Sequence, residues 1–133
     1  MKKIILLALL VGQVFAFSNI EATKENILKL QKQHIKIIDI RLPIEWEGTG
    51  TIPNALKITF FKNSGAKNPQ FLKELRKNKI YTDTKFALIC RTGHRSSRAA
   101  EILEQNGYKN IVNLKDGMFN LFKSLLKGLK NGK

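Results

Sequence analysis

The chain has very few of the residues that form disulfide bonds and metal clusters. Its 133 residues include one cysteine, Cys90, and two histidines, His34 and His94. A single cysteine excludes an intramolecular disulfide bond and any zinc or iron–sulfur site held by several cysteines. Two histidines leave little material for any other metal site.

Acidic residues are also scarce, with 10 Asp and Glu against 24 Lys and Arg and a formal net charge of +14. The hydrophobic fraction of 43% and the charged fraction of 26% are those of a globular protein and exclude a disordered tail or a collagen-like fibre. This length favours one domain. We do not expect a nucleic-acid partner, because the lysines are scattered and no aromatic platform accompanies them.

No hydrophobic run approaches the ~20 residues that a membrane-spanning helix needs. The apolar run Ile4–Val11 follows Lys2 and Lys3, and Val14-Phe15-Ala16 fits a cleavage site. This layout predicts a signal peptide at residues 1–16 and a domain at 17–133, and we expect the domain to be secreted across the inner membrane to the periplasm. The alternative is an uncleaved N-terminal anchor. A lone cysteine in an oxidising compartment is either an inert core residue or a reactive thiol.

Short apolar runs alternate with amphipathic stretches along the rest of the chain. We expect strands at 35–41, 55–60, 85–89 and 111–114, and helices at 23–33, 68–76, 95–106 and 119–129, with a helical turn at 43–46. This alternation predicts an α/β fold, with a mostly parallel central sheet and helices on both faces.

The last predicted helix places five large apolar residues on one face: Phe119, Phe122, Leu125, Leu126 and Leu129. We expect this face to pack on the sheet and the lysines of the helix to face water. The alternative, docking on an anionic lipid surface or polymer, is favoured by the net charge but ranks lower.

Cys90 stands where the strand at 85–89 ends and a helix is about to begin. In parallel α/β folds this carboxyl edge of the sheet is where binding sites lie. Gly93 allows the loop to curl with its N–H groups pointing inward, and the helix N-terminus adds to this cradle for a negative charge. The cradle, with Arg91 and Arg95 nearby, favours the thiolate, which is the nucleophilic form of cysteine.

The remaining charged residues of this region have simpler interpretations. The spacing of Arg95 lets its side chain fold back over the loop, whereas Arg98 is at least as well explained as a surface residue. His94 is expected to contribute its backbone N–H rather than its ring, and His34 to be a structural or surface residue.

The loop Cys90–Arg95, followed by Ser96, resembles the active-site loop of the rhodanese-like domain family in its single-domain form. Three other segments resemble family signatures. The first is Asp39-x-Arg41 followed by Glu45-Trp46. The second, Gly50–Ala55, resembles the family's Gly-His-Ile-Pro-Gly-Ala segment, and the third, Leu114–Met118, resembles the Gly-Gly turn that follows the last strand. The resemblance covers nearly all of residues 17–133.

Four positions depart from the family pattern. Thr51 replaces a His, Asn54 replaces a Gly, Asp116 replaces the first Gly of the pair, and Leu121 lies near a common Trp. These departures concern loops and domain edges rather than the nucleophile.

The resemblance implies sulfur transfer, with Cys90 as catalytic nucleophile and Arg91, Thr92, Gly93, His94 and Arg95 binding the substrate. The cysteine would take sulfane sulfur from an anionic donor such as thiosulfate and pass it to cyanide, a thiol or a protein acceptor, without a cofactor. Related phosphatases and arsenate reductases have a loop one residue longer, so the loop Cys90–Arg95 favours sulfur over phosphate. We expect Asp39 and Arg41 to brace loops rather than to act in catalysis.

A second function stays open. The same fold could carry sulfur, bind a partner or sense redox state without turnover, because Thr51 and Asp116 alter the surroundings of the loop.

Overall fold

The structure is a computed structural model that describes residues 16–132. The predicted signal peptide, apart from Ala16, lies outside the described residues. Within residues 16–132, no helix is both long enough and apolar enough to cross a membrane.

The described part of the chain forms a parallel sheet covered by helices on both faces. The strands are β1 (Ser18–Glu21), β2 (Lys36–Asp39), β3 (Leu56–Lys57), β4 (Phe86–Ile89) and β5 (Ile111–Lys115). The helices are α1 (Lys24–Lys32), α2 (Pro43–Thr49), α3 (Phe71–Lys77), α4 (His94–Gln105) and α5 (Gly117–Asn131). The strand order is β1-β5-β4-β2-β3, and every paired strand is parallel to its neighbour. The predicted α/β fold is confirmed.

Successive residues of the inner strands pack on opposite faces of the sheet, as strand geometry requires. In β2, Ile38 joins the core under α3 and α4, while Ile37 joins the core under α1 and α5. All of β4 is buried. This central, doubly covered strand is therefore a rigid base for the loop that follows Ile89.

Several element boundaries differ from the sequence prediction by a few residues, and those of β3 and α3 have a visible cause. The strand expected at 55–60 is reduced to Leu56–Lys57, although Phe60 still donates a backbone hydrogen bond to the carbonyl of Ile40. The helix expected to begin at Asn68-Pro69 begins at Phe71 instead. The Asn68 side chain accepts a 3.0 Å hydrogen bond from the N–H of Gln70 and so forms a turn before the helix.

Strand β1 was not predicted, because Ser18–Glu21 has no apolar alternation. It lies at the sheet edge, where Ile20 pairs in register with Leu114 of β5. Backbone pairing with a strand almost a hundred residues away, rather than side-chain pattern, makes this segment extended.

The expectation for the apolar face of α5 was wrong. Met118 and Leu121 pack into the core, but Phe119, Leu126 and Leu129 are 59%, 61% and 76% exposed. The face of α5 that reaches the core is the one that carries Met118 and Leu121, and the other large apolar residues lie mainly beside that face.

Candidate active site

The loop after β4 turns sharply into a helix N-terminus. Gly93 is the residue before α4 and has φ = 96°, in the left-handed region. A side chain there would be strained, and a Cβ would lie 2.8 Å from the backbone nitrogen of Asp116. Glycine at this position therefore lets the loop curl beneath the first turn of α4.

The curled loop surrounds the sulfur of Cys90 with hydrogen-bond partners. Sγ accepts hydrogen bonds from the backbone N–H of Gly93 at 3.1 Å and of Ser96 at 3.4 Å. The thiol in turn donates to Ser96 Oγ at 3.3 Å, and that hydroxyl donates to the carbonyl of Gly93 at 3.2 Å. Two amides at the N-terminus of a twelve-residue helix thus point at one sulfur atom.

Ser96 is the functional residue that the sequence reasoning missed. The cradle was expected from the N–H groups of residues 91–95, but Ser96 supplies an N–H and a hydroxyl and is fully buried. Its position three residues after Gly93, on the inner side of the first helical turn, was the available signal.

Cys90 is only 1% exposed and is a free thiol. The loop that covers it is held from the other side by α5. The N–H of Met118 donates to the carbonyl of Cys90 at 2.9 Å, and that of Phe119 donates to the carbonyl of Arg91 at 3.0 Å. Very little of Cys90 is therefore open to a donor in this conformation.

This contact between α5 and the loop requires Gly117. A Cβ on Gly117 would lie 2.3 Å from the carbonyl oxygen of Cys90. Asp116, just before it, has φ = 61°, and Asn54 has φ = 66°. Asp and Asn tolerate this left-handed conformation better than other non-glycine residues, which explains why they can replace family glycines at both positions.

The side chain of Arg95 is bound to Glu45 of α2. Its two terminal nitrogens donate to the two carboxylate oxygens at 2.8 and 2.7 Å, and the Glu45 carboxylate also accepts from the N–H of Leu42 at 2.9 Å. The hydrogen bonds from Arg95 hold the pKa of Glu45 below its ordinary value. Hydrogen bonding to Glu45, followed by the charges of Glu45, Cys90 and Asp39, raises the pKa of Arg95. The cation near the loop is therefore largely neutralised by its own partner.

The predicted bracing role of Asp39 and Arg41 is confirmed by their contacts. Both residues are buried, and the guanidinium donates to both carboxylate oxygens. Arg41 also binds the Thr49 hydroxyl and the carbonyl of Gly50, each at 2.7 Å. Thr51, a departure from the family pattern, donates to Asp39 Oδ2 at 2.7 Å and so completes the network.

The predicted substrate-binding residues divide between two sides of the loop. Arg91 borders a cavity of about 390 Å³ whose wall is mainly apolar, including Ile44, Phe119 and Phe122. Thr92, Gly93 and His94 border a separate, polar groove of about 350 Å³. Cys90 itself lines neither space.

Arg98 and His34 lie outside this arrangement. The guanidinium of Arg98 lies 5.8 Å from the ring centre of Phe61, and His34 is an exposed residue after α1 with φ = 57°. Among residues 16–132, no group of three His, Cys, Asp or Glu side chains could hold a metal ion.

Comparison with known families extends the resemblance from the loop to most of the chain. Residues 22–124 match the family model of the rhodanese-like domain. The chain belongs to the rhodanese-like domain family. A rhodanese-related protein of Thermoplasma volcanium has a TM-score of 0.57 and 28% identity, over 84% of this chain and 94% of that one.

Two of the relatives are named for an activity, and one of them is a tRNA uridine(34) hydroxylase of Pelagibacter ubique that is 30% identical over 112 residues, 83% of this chain and 34% of its own length. A sulfurtransferase of Allochromatium vinosum is 33% identical over 86 residues, 65% of this chain and 70% of its own. An uncharacterised protein of Rickettsia prowazekii is 31% identical over 103 residues, 74% of this chain and 81% of its own. These matches support a sulfurtransferase-type enzyme at the level of the family.

Proposed function

We propose that this chain moves sulfane sulfur from an anionic donor such as thiosulfate to cyanide or a thiol through a persulfide on Cys90. The observation that carries the proposal is the pair of N–H groups, from Gly93 and Ser96, directed at Sγ. Such donors favour a charged sulfur both before and after it gains a second sulfur atom.

The proposed reaction needs no external oxidant or reductant. The Cys90 thiolate attacks the outer sulfur of thiosulfate, the sulfur–sulfur bond of the donor breaks, and sulfite leaves with the bonding electron pair. Cyanide then attacks the outer sulfur of the persulfide, the new sulfur–sulfur bond breaks, and thiocyanate leaves. The electron pair returns to Cys90 as thiolate.

Arg91 is the residue proposed to attract the donor. Its side chain is exposed and borders the cavity next to the loop, so its charge is available to an anion. Arg95 contributes less attraction while Glu45 holds both of its terminal nitrogens. The six-residue span from Cys90 to Arg95 favours a sulfur substrate over the phosphate that a longer loop admits.

The test is mass spectrometry of the intact protein after exposure to thiosulfate, together with assay of thiocyanate formation. We expect the wild-type chain to gain the mass of one sulfur atom and to form thiocyanate. Cys90→Ser should do neither, and Ser64→Ala, a change of an exposed serine, should behave as wild type. Full activity of Cys90→Ser would refute the proposal.

The 1% exposure of Cys90 favours a second candidate, a sulfur carrier that releases its sulfur only to a protein partner. A buried persulfide would be protected from small acceptors. The same experiment separates the two functions: a stable sulfur adduct with little thiocyanate indicates a carrier, whereas rapid thiocyanate formation indicates an enzyme.

We also propose export to the periplasm through residues 1–16, with an uncleaved N-terminal anchor as the alternative. Fractionation of cells that express the full chain, followed by mass measurement, tests this. Cleavage after Ala16 in the periplasmic fraction supports export, and an intact chain in the membrane fraction supports the anchor.

A further inference from the structure

Helix α5 carries a continuous exposed apolar band. Its members are Phe119, Phe122, Leu125, Leu126 and Leu129, whose exposed fractions are 59%, 37%, 38%, 61% and 76%. At 100° per residue they lie side by side along the helix. Ile44, 72% exposed, borders the same cavity as Phe119 and Phe122 and so widens the apolar surface beyond the helix. Contiguous apolar surface of this kind marks an interaction site.

Lysines follow one edge of the apolar band. Lys123, Lys127 and Lys130 are spaced by three and four residues, so they form a row on the same helix. The ammonium group of Lys123 lies 5.5 Å from the ring centre of Phe119, which places the two rows in contact. No acidic residue occurs in α5, Gly117–Asn131.

We propose that the exposed apolar band of α5 docks on an anionic phospholipid surface, with the helix lying in the plane of the membrane. An apolar face beside a row of lysines is the pattern of helices that bind at this interface. Lysines near such a surface add attraction to acidic headgroups, and the chain's net charge of +14 adds to it at longer range.

The charge argues against a second copy of this chain as the occupant of the band. Face-to-face pairing would bring two rows of lysines together on chains that already repel each other. An anionic membrane instead covers the apolar side chains and neutralises the lysines at once.

Docking would also determine where the cavity beside Arg91 opens. Phe119 and Phe122 belong both to the apolar band and to the wall of the cavity beside Arg91. The mouth of that cavity would therefore face the membrane surface. This inference does not depend on the proposed sulfur chemistry.

The test is sedimentation of the full chain with vesicles of phosphatidylglycerol and phosphatidylcholine in equal parts, compared with phosphatidylcholine alone. We expect binding to the anionic vesicles that weakens with salt. The double variant Leu126→Ser/Leu129→Ser, which leaves the cavity intact, should lower the partition coefficient about tenfold or more. The matched control Leu72→Ser/Tyr81→Ser removes apolar side chains that are 40% and 50% exposed elsewhere and should bind as wild type.

A local measurement separates docking by α5 from attachment through the N-terminal apolar run. Hydrogen–deuterium exchange should slow in residues 117–132 when anionic vesicles are added, and should not slow in Leu126→Ser/Leu129→Ser. Circular dichroism of that variant checks that the fold is retained. Vesicle-independent protection that grows with protein concentration would indicate self-association and overturn the proposal, as would unchanged exchange on vesicles that bind the chain.

Discussion

Arg95 and Glu45, fifty residues apart in the chain, share two hydrogen bonds of 2.8 and 2.7 Å. This pair joins the first turn of α4 to α2 across the edge of the sheet where Cys90 lies. The pair stabilises the site. It also occupies the Arg95 guanidinium, so that this cation is not available to bind an incoming anion.

Releasing Arg95 should strengthen binding of the anionic donor. We expect Glu45→Gln to lower the KM for thiosulfate severalfold, because removal of the carboxylate charge leaves the Arg95 guanidinium uncompensated. The free energy of unfolding should fall by about 1 kcal/mol, since the pair is partly exposed. Steady-state kinetics and urea unfolding measure the two effects, with the exposed Glu47→Gln as control. A higher KM would mean that Glu45 mainly positions Arg95 for binding.

The same pair predicts an acid-dependent loss of stability. The folded-state pKa of Glu45 is lowered from the ordinary value of 4.5, so its contribution is fully present above pH 4.5 and is lost as the pH falls below it. The pKa of Arg95 is raised further above its ordinary value, so Arg95 stays protonated and has no effect in this range. Urea unfolding should show that the free energy of unfolding falls more for wild type than for Glu45→Gln as the pH is lowered from about 6 to about 3. Parallel pH profiles would contradict this expectation.

Ser96 should support the reactive state of the cysteine more than it supports the fold. In Ser96→Ala the hydroxyl that links Sγ to the Gly93 carbonyl is lost, at about 1 kcal/mol of stability. We expect sulfur loading from thiosulfate to slow about tenfold, because the hydroxyl that accepts from the thiol can turn to donate to the sulfur once the thiol has lost its proton, and the alanine cannot. Time-resolved mass spectrometry measures the loading rate, with Ser64→Ala as the exposed control. Unchanged loading would leave the backbone N–H groups as the sole stabilising donors.

Breaking the Asp39–Arg41 pair should be costly. Asp39→Ala leaves a guanidinium that is 2% exposed without its carboxylate, which we expect to cost about 3–5 kcal/mol. Glu25→Ala, which removes the partner of Lys29 from an exposed pair 3.4 Å long, should change stability by less than about 1 kcal/mol. Urea unfolding compares the two. Similar small losses in both variants would show that water reaches Arg41 when Asp39 is absent.

Two glycines of α5 should respond to alanine in opposite directions. Gly117→Ala places a Cβ 2.3 Å from the carbonyl oxygen of Cys90, at a residue with φ = 60°, and should destabilise the protein by about 3 kcal/mol. Gly128→Ala has no atom within 4 Å of the new Cβ and should stabilise the helix by about 0.5–1 kcal/mol. Thermal unfolding measures both changes. A stable Gly117→Ala protein would show that the loop and α5 can separate without cost.

The loop and its flanking elements could be predicted because their causes are local. The apolar residues before Cys90 form a buried strand, Gly93 permits the turn, and the following residues favour a helix. Thr23 likewise caps α1, where its hydroxyl accepts a 3.2 Å hydrogen bond from the N–H of Asn26. In each case the residues that determine the conformation are neighbours in sequence.

The partners of the loop could not be predicted in the same way. Glu45 reaches Arg95 only because β2 and β4 are adjacent in the sheet and both end at the same edge. The inward orientation of Ser96 depends on the rotation of α4 above the loop. Strand β1 exists because β5 offers an unpaired edge.

The sequence by itself determined an α/β fold with a cysteine at the end of a central strand, a glycine in the loop and a helix after it, since hydrophobic pattern and glycine geometry act over a few residues. Only the tertiary structure decided that Cys90 is buried, that Arg95 is bound to Glu45, and that most of the apolar residues of α5 remain in water. Those outcomes depend on which surfaces meet after folding, and distant segments settle that by competing for the same limited core.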